Sequence, residues 1–300
     1  MPSEHTDGET WRQLAPRELE REYSPSSCIG GNYLPLVTAY ETRSAEARAL
    51  CGKRGASWRR IQYGAAPTQY LELCLPPAGT PATRAKPALL VFIHGGYWQE
   101  LSAGDSLFPA VGCIEQGAGF AAINYTLAPD ASVADIVTEC RLAMSWLLDN
   151  SDGLGFDAAR VVVAGSSAGA HLAAMVALPS RSERRLRAAV LVSGIYALEP
   201  LVATPINAAL GLTATTARQT SPALLPLAGF PDSLICWGAN ETAEFKRQSR
   251  SFASDLTGMG THCEAIEIEN RNHFDVIMDL ADPGTELGRK TLALLHSAQQ

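Results

Sequence analysis

One serine of this sequence stands in a glycine-rich turn of the kind that exposes a hydroxyl group for nucleophilic attack. Residues 160–172 read RVVVAGSSAGAHL, so an apolar strand leads into the G-x-S-x-G pattern at residues 165–169 and a small-residue helix follows. In such an elbow the central serine is held in a strained conformation, and the two glycines let strand and helix approach without Cβ clashes. We therefore predict Ser167 as a nucleophile; the alternative is an ordinary glycine-rich turn.

A second glycine turn could stabilise the negative charge that such an attack produces. Residues 91–98 read VFIHGGYW, which places Gly95 and Gly96 at the end of another buried strand. Backbone N–H groups of bare glycines can point toward a developing oxyanion, and Ala168 adds an unpaired N–H at the start of its helix. We predict these three residues as the oxyanion hole; the alternative is a type II turn. His94 is expected to orient this loop rather than act as a base.

A serine hydroxyl needs a general base near neutral pH, and histidine is the usual one. His273 follows the last predicted strand, at the carboxyl edge where the serine turn also emerges, so we predict it as the base. The alternative is a solvated loop histidine. The other five histidines are less suitably placed: His5 and His296 near the termini, His94 in the glycine turn, His171 one helical turn after the serine, as a packing or pocket residue, and His262 at the opposite strand end.

The third member of such a triad is a carboxylate that orients the imidazole and stabilises its charged form. It should lie just past the strand predicted at residues 233–238, where Glu241 is best placed. The chain order of serine, carboxylate and histidine is then the one expected for a nucleophile elbow of this type. Three other carboxylates are weaker candidates: Asp232 precedes the strand, Glu244 has an ordinary helix-dipole explanation, and Asp275 is too close in sequence to His273.

The elements that must position these residues alternate between short apolar segments and helices. Candidate strands cover residues 58–63, 69–75, 88–93, 119–124, 160–165, 188–193, 233–238 and 262–268. The central ones are continuously apolar, which is typical of strands covered on both faces in a mostly parallel sheet. Candidate helices cover residues 11–23, 33–50, 131–150, 241–256 and 284–295, and the third has apolar residues at i, i+3, i+4 and i+7.

The organisation predicts an N-terminal helical arm or cap at residues 1–57 and an α/β domain at residues 58–300. Residues 76–87 read as a proline-rich loop. The stretch at about 200–226 is too long for an ordinary connector, so we interpret it as a functional lid or an inserted helical segment.

Composition excludes several classes of function. The chain has 300 residues, of which 46% are hydrophobic and 18% are charged, and this balance excludes a largely disordered chain. Its formal net charge of −7 argues against nucleic acid or an anionic membrane as a partner. The first residues lack the apolar core of a secretory signal. Seven widely spaced cysteines show no zinc-site spacing and favour buried thiols, no metal and a cytoplasmic location. The oligomeric state stays open, a homodimer included.

Several motifs together resemble a known family. HGGYWQ at 94–99, NYTLAP at 124–129, GSSAGAHL at 165–172, SGIYALEPL at 193–201 and RNHF at 271–274 are similar to arylformamidases (kynurenine formamidases) of the hormone-sensitive-lipase-like esterase group. The resemblance implies an α/β-hydrolase fold with a mostly parallel sheet of about eight strands, helices on both faces and a small cap. It also implies a metal-free, cofactor-independent serine hydrolase acting on N-formyl-L-kynurenine in tryptophan degradation.

Two residues depart from the family pattern. The carboxylate is usually Asp, whereas Glu241 occupies the matching position, and its extra methylene shifts the carboxylate by about 1.5 Å. Ser166 precedes the nucleophile where His or Asp is expected. Both departures bear on the substrate, because this sequence group also contains esterases with small acyl substrates.

The resemblance leads to a predicted aromatic substrate pocket. Five side chains are expected to line it: Tyr97, Trp98, Tyr125, Tyr196 and Phe274. An aromatic wall suits an aryl leaving group, while the alternative is that these rings are core. Three functions then compete, because a fold does not fix a substrate. They are an arylformamidase, a carboxylesterase with the same mechanism, and an inactive hydrolase fold that serves as a binding module.

Overall fold

An eight-stranded sheet forms the centre of the computed structural model, which describes residues 11–77, 86–179 and 185–296. Its strands run in the order β1-β2-β4-β3-β5-β6-β7-β8. Their bounds are β1 Ser57–Gln62, β2 Tyr70–Leu75, β3 Leu89–Ile93, β4 Gly119–Ile123, β5 Val161–Ser166, β6 Ala188–Val192, β7 Asp232–Asn240 and β8 Cys263–Asn272. β2 pairs antiparallel with β1 and β4, and the other neighbours are parallel. The predicted mostly parallel sheet is confirmed.

The two faces of the sheet carry separate apolar cores. In β3, Leu89, Val91 and Ile93 enter one core, whereas Leu90 and Phe92 enter the other. This alternation follows from the two-residue period of a strand, and both sets are apolar because helices cover both faces. The first core also takes residues from α4 (Val133–Asp149), α6 (Ala168–Ala177) and α9 (Ala243–Gly258). The second takes residues from α2 (Leu34–Lys53), α3 (Ala110–Glu115) and α10 (Glu286–His296).

The last two strands are longer than the sequence pattern predicts. β7 continues to Asn240 and β8 to Asn272, with a register irregularity between Gly238 and Asn240. A Cβ added at Gly238 would lie 2.5 Å from the Arg271 carbonyl oxygen, so the close pairing of the strands at this point requires glycine. The extension carries the ends of both strands toward the same edge of the sheet.

The N-terminal segment contains less helix than predicted for residues 11–23. A short 3₁₀ turn comes first, and α1 covers only Pro16–Glu22. Pro16 explains the break, because it lacks an N–H group and disfavours helical geometry at the residue before it. A 3₁₀ helix at Pro25–Ile29 follows, and α2 then extends three residues beyond its predicted end at residue 50.

The insertion predicted at about 200–226 consists of short helical pieces. They are 3₁₀ helices at Glu199–Ala203 and Pro222–Leu224, together with α7 at Asn207–Leu210 and α8 at Ala214–Gln219. A further short helix, α5, covers Ser151–Leu154. Most of the proline-rich stretch predicted at 76–87 lies outside the described residues, as does His5. Within the described ranges, no helix has both the length and the apolar character of a bilayer span.

Candidate active site

The serine turn has the backbone geometry of a strained elbow. Ser167 lies between β5 and α6 with φ 57° and ψ −122°, a region that non-glycine residues rarely adopt. A Cβ added at Gly165 would lie 2.1 Å from the Gly169 carbonyl oxygen, and one at Gly169 would lie 2.1 Å from the Ile93 carbonyl oxygen. The small residues therefore allow the strand, the turn and β3 to meet, as the G-x-S-x-G pattern predicts.

A buried carboxylate contacts the candidate base. His273 directly follows β8 and Glu241 directly follows β7, and His273 Nδ1 lies 3.0 Å from Glu241 Oε2. Glu241 Oε1 accepts hydrogen bonds from the Gly238 N–H and the Ser193 hydroxyl, each at 2.6 Å. Because one carboxylate oxygen is held by these two donors, the other is fixed toward the imidazole. This arrangement selects the Nδ1–H tautomer and leaves Nε2 free to accept a proton.

Ser193 is the site residue that the sequence analysis missed. It follows β6, is fully buried, and adopts a positive φ of 51° while its N–H donates to the Cys236 carbonyl at 2.7 Å. A serine after an apolar strand carries no recognisable motif. Only the parallel pairing of β6 with β7 brings its hydroxyl to Glu241.

The weaker carboxylate candidates are engaged elsewhere. Glu244 forms a bidentate ion pair with Arg247, both contacts at 2.8 Å, and accepts a hydrogen bond from Tyr23 at 2.8 Å. Asp275 accepts from the backbone and side-chain nitrogens of Asn272 at 2.7 and 2.8 Å. Asp232 begins β7 and so lies at the opposite edge of the sheet.

Two other histidines are buried and neutral. His94 Nδ1 lies 3.0 Å from the Gly95 carbonyl oxygen, and its ring stacks on Tyr125 with centroids 4.2 Å apart. His171 Nε2 contacts the Thr220 carbonyl oxygen at 2.6 Å, which makes it a packing residue. Burial lowers the pKa of each to about 4. His262 precedes β8 and lies at the opposite strand end from His273.

The predicted oxyanion residues surround the serine turn. A Cβ added at Gly95 would lie 2.7 Å from the Ser166 carbonyl oxygen, so the glycine turn packs directly against the elbow. Gly96 has a φ of 95°, which favours glycine. Ala168 is the first residue of α6, where a helix leaves its N–H groups without intrahelical partners.

A cavity of about 290 Å³ opens onto these residues. Ser167, His273, Gly95 and Gly96 all line it. Most of the remaining wall is aromatic or aliphatic: Tyr23, Tyr33, Val37, Tyr40, Phe92, Tyr97, Leu101, Phe108, Ile206, Phe274 and Ile277. The candidate nucleophile, the candidate base and the two glycines of the HGG turn thus line one largely apolar cavity.

Comparisons with known proteins find similarity to formamidases and esterases. The BD-FAE family matches residues 71–196. A kynurenine formamidase of Danio rerio is 29% identical, covering 95% of this chain and 98% of the relative. An isoprenylcysteine alpha-carbonyl methylesterase of Arabidopsis thaliana is 26% identical, covering 75% of this chain and 58% of the relative. A solved structure from Silicibacter, provisionally described as a thioesterase, has a TM-score of 0.79 at 25% identity and covers 93% of this chain and 99% of its own.

The chain is a serine hydrolase with the α/β-hydrolase fold. It resembles the arylformamidases and the hormone-sensitive-lipase-like esterases, as the sequence motifs predicted. The hydrolase keeps a glutamate where that resemblance suggests an aspartate, and the Gly238 and Ser193 donors hold the longer side chain in place.

The structure places two of the five predicted pocket residues on the wall of the cavity and three elsewhere. Tyr97 and Phe274 line the cavity. Trp98, Tyr125 and Tyr196 are not among the lining residues and belong to the core of the hydrolase. Their contacts show why: Trp98 packs against the His171 ring, Tyr125 donates to the His94 carbonyl at 2.9 Å, and Tyr196 stacks on Phe252 with centroids 4.3 Å apart.

The N-terminal arm, predicted as a cap, contributes three tyrosines that were not predicted to line the pocket. Tyr23, Tyr33 and Tyr40 all line the cavity of the hydrolase. Tyr97 donates to the Tyr23 carbonyl at 2.5 Å, and Tyr40 donates to the carbonyl of Phe274. The arm is thereby attached to both the glycine turn and the residue that follows His273.

Proposed function

We propose that this hydrolase cleaves the formyl amide of an aryl formamide such as N-formyl-L-kynurenine. One observation carries the proposal: Ser167 and His273 face one aromatic-lined cavity, and His273 contacts the buried Glu241 at 3.0 Å. We assign Ser167 as nucleophile, His273 as base and Glu241 as the orienting acid. Similarity over nearly the full length to proteins named kynurenine formamidase supports the choice of an aryl formamide.

The acylation step uses the geometry as follows. His273 Nε2 takes the hydroxyl proton of Ser167 as Oγ attacks the formyl carbon. The carbonyl oxygen becomes an oxyanion, which the N–H groups of Gly95, Gly96 and Ala168 stabilise. Collapse of this intermediate breaks the C–N bond, and the imidazolium gives its proton to the departing arylamine. Glu241 balances the charge on His273 during the step.

Deacylation reverses the roles with water as the nucleophile. The formyl group is now an ester of Ser167. His273 removes a proton from water as the water oxygen attacks the formyl carbon, and the same oxyanion hole stabilises the charge. Breakdown of this intermediate releases formic acid, which ionises to formate in water, and His273 returns its proton to Ser167 Oγ.

The walls of the cavity support an aryl leaving group. Seven aromatic side chains line it: Tyr23, Tyr33, Tyr40, Phe92, Tyr97, Phe108 and Phe274. Rings of this kind bury an aromatic amine through apolar contact and ring stacking. The predicted cap belongs to the same proposal, with the N-terminal arm as its main part, since the insertion adds only Ile206 to the wall. We also propose a cytoplasmic location for the hydrolase.

A carboxylesterase is the second candidate function. The similarity to an isoprenylcysteine methylesterase and to a structure described as a thioesterase favours it, because the same serine mechanism cleaves esters. The cavity volume of about 290 Å³ also leaves room beyond a formyl group.

The deciding experiment compares kcat/KM for N-formyl-L-kynurenine with those for p-nitrophenyl acetate and p-nitrophenyl butyrate. We expect the formamide to be the better substrate, and the butyrate to be poorer than the acetate. Esters that are faster by orders of magnitude would leave the carboxylesterase as the function. The variant Ser167→Ala is the control for hydrolysis that does not use the site.

A further inference from the structure

One acidic side chain stands at the rim of the otherwise neutral cavity. Glu100 lines the cavity, whereas among the described residues that line it there is neither a lysine nor an arginine. The remaining polar groups outside the candidate triad and its turns are hydroxyls and an amide, among them Ser24, Ser26 and Gln99. A ligand that enters this cavity therefore meets a negative charge that no basic side chain of the wall offsets.

The backbone ties Glu100 to the candidate oxyanion turn. The Glu100 N–H donates to the Gly96 carbonyl at 3.0 Å. A Cβ added at Gly96 would lie only 2.4 Å from the Glu100 carbonyl oxygen, so the two residues are in close contact. The position of Glu100 relative to the reacting serine is thus fixed by the same turn that would hold the oxyanion.

A pair of stacked rings connects Glu100 with the candidate base. The Tyr33 hydroxyl donates to Glu100 Oε1 at 3.3 Å, and the Tyr33 ring stacks on Phe274 with centroids 5.4 Å apart and planes at 9°. Phe274 in turn meets the His273 ring edge to face, with centroids also 5.4 Å apart. Burial and the neighbouring Glu100 raise the pKa of Tyr33, so its hydroxyl stays protonated and keeps donating at neutral pH. One hydrogen bond and two ring contacts therefore connect the Glu100 carboxylate with the imidazole of His273.

We propose that Glu100, Tyr33 and Phe274 form a subsite for a primary ammonium group on the substrate. A carboxylate beside aromatic rings attracts an ammonium by charge, by hydrogen bonding and by cation–π contact. The subsite would favour aryl substrates whose side chain ends in an amine over those with a neutral or anionic end. It rests on the proposed function in one respect, since the N-formyl-L-kynurenine tail carries such an ammonium group. The neutral hydroxyl and amide donors of the wall can form hydrogen bonds with the carboxylate at the same end of that substrate.

The first test measures inhibition, so it does not depend on formamide cleavage. Hydrolysis of p-nitrophenyl acetate is followed with 3-phenylpropylamine and with 3-phenylpropanol as competitors, which differ only in the charged end. In the wild type we expect the amine to bind about five-fold more tightly, the size of an exposed ion pair. In Glu100→Gln the ratio of the two inhibition constants should fall to about one.

The matched control is Glu46→Gln, which removes the same charge from an exposed position of α2 outside the cavity. It should keep the five-fold ratio. A ratio of one in the wild type, or an unchanged ratio in Glu100→Gln, would overturn the subsite. Because each ratio is taken within one variant, a change in basal hydrolysis does not affect the conclusion.

The second test joins the subsite to the proposed function. N-formyl-L-kynurenine is compared with its analogue that lacks the amino group, and the kcat/KM ratio of the two should drop about five-fold in Glu100→Gln. Amine-selective inhibition without any formamide cleavage would refute the proposed function and leave the subsite standing. Formamide cleavage with an amine ratio that Glu100→Gln does not change would refute the subsite alone.

Discussion

The carboxyl edge of the sheet and the N-terminal arm both face the cavity, yet they contribute to it in different ways. At the sheet edge, each candidate catalytic residue directly follows the last residue of a strand: Ser167 after β5, Glu241 after β7 and His273 after β8. In the arm, Tyr23 directly follows α1 and Tyr33 directly precedes α2, and both line the cavity. We infer that the edge performs the chemistry and the arm shapes the space for the substrate. Substitutions at the edge should therefore change kcat, and those in the arm should change KM and stability.

The largest effect is expected for Ser167→Ala. Removing the nucleophile should lower kcat by about 10⁶-fold, as in other hydrolases with a serine triad. The measurement is kcat with p-nitrophenyl acetate, supported by covalent labelling of the wild type with a fluorophosphonate. Ser145→Ala, on the exposed face of α4, is the control and should keep both activity and labelling. Retained labelling in Ser167→Ala would place the nucleophile elsewhere.

The next largest effect concerns the carboxylate. Glu241→Gln keeps the size of the side chain but removes the charge that stabilises the imidazolium, so kcat should fall by about 10⁴-fold while the fold persists. Circular dichroism checks the fold and steady-state kinetics check the rate. Unchanged activity would assign the role to another carboxylate, with Glu244 next to be tested.

Ser193→Ala tests whether the carboxylate must be held by its second donor. The variant removes one of the two hydrogen bonds to Glu241 Oε1, and we expect kcat to fall about ten-fold with KM nearly unchanged. Ser249 is a matched control, because its hydroxyl is equally buried and has no hydrogen-bond partner among the described residues. If Ser249→Ala lowers kcat as much as Ser193→Ala, the loss reflects packing rather than positioning.

A smaller effect on activity is expected in the arm. Tyr23→Phe removes a hydroxyl that donates to Glu244 at 2.8 Å and accepts from Gln248 at 2.9 Å. The free energy of unfolding should fall by about 1–3 kcal/mol, because buried partners lose their hydrogen bonds. We expect KM to rise about three-fold while kcat stays near the wild-type value. A fall in kcat without a change in KM would contradict the division of roles between edge and arm.

The smallest effect on activity at neutral pH is expected for substitutions of the two buried histidines, which mainly affect how stability depends on pH. His94 and His171 have pKa values of about 4 in the folded chain, against 6.5 for an unperturbed histidine, so the unfolded chain binds more protons between these values. The free energy of unfolding therefore has its full value above about pH 6.5 and falls as the pH drops toward 4. The loss is on the order of 3 kcal/mol per histidine. Urea unfolding at a series of pH values measures how the free energy of unfolding depends on pH. His171→Gln should reduce this pH dependence, and a pH dependence equal to that of the wild type would contradict the assignment.

The sheet and the residues at its edge were predictable because local patterns specify them. Continuous apolar runs marked the buried strands, and the G-x-S-x-G and HGG turns marked strand ends that need glycine. Each of the eight strands appears where the pattern predicted it, within a few residues. The extension of β7 and β8 was not predicted, since it depends on pairing between strands far apart in the sequence.

The walls of the cavity were harder to predict because long-range packing determines them. Trp98 directly follows Tyr97 in the sequence, yet Tyr97 lines the cavity and Trp98 is fully buried. Tyr33 belongs to a segment without a predicted strand, and its partner Phe274 lies near the other end of the chain. Aromatic residue type alone does not distinguish a core position from a pocket position.

The contact between Tyr40 and Phe274 joins residues 234 positions apart. Synthesis on the ribosome produces the arm first and the β8 end almost last, and loop-closure entropy further delays contacts of such long range. A nascent chain can thus complete the nucleophile elbow well before it possesses an enclosed binding space. We therefore expect the closed cavity to be among the last features that the maturing chain acquires.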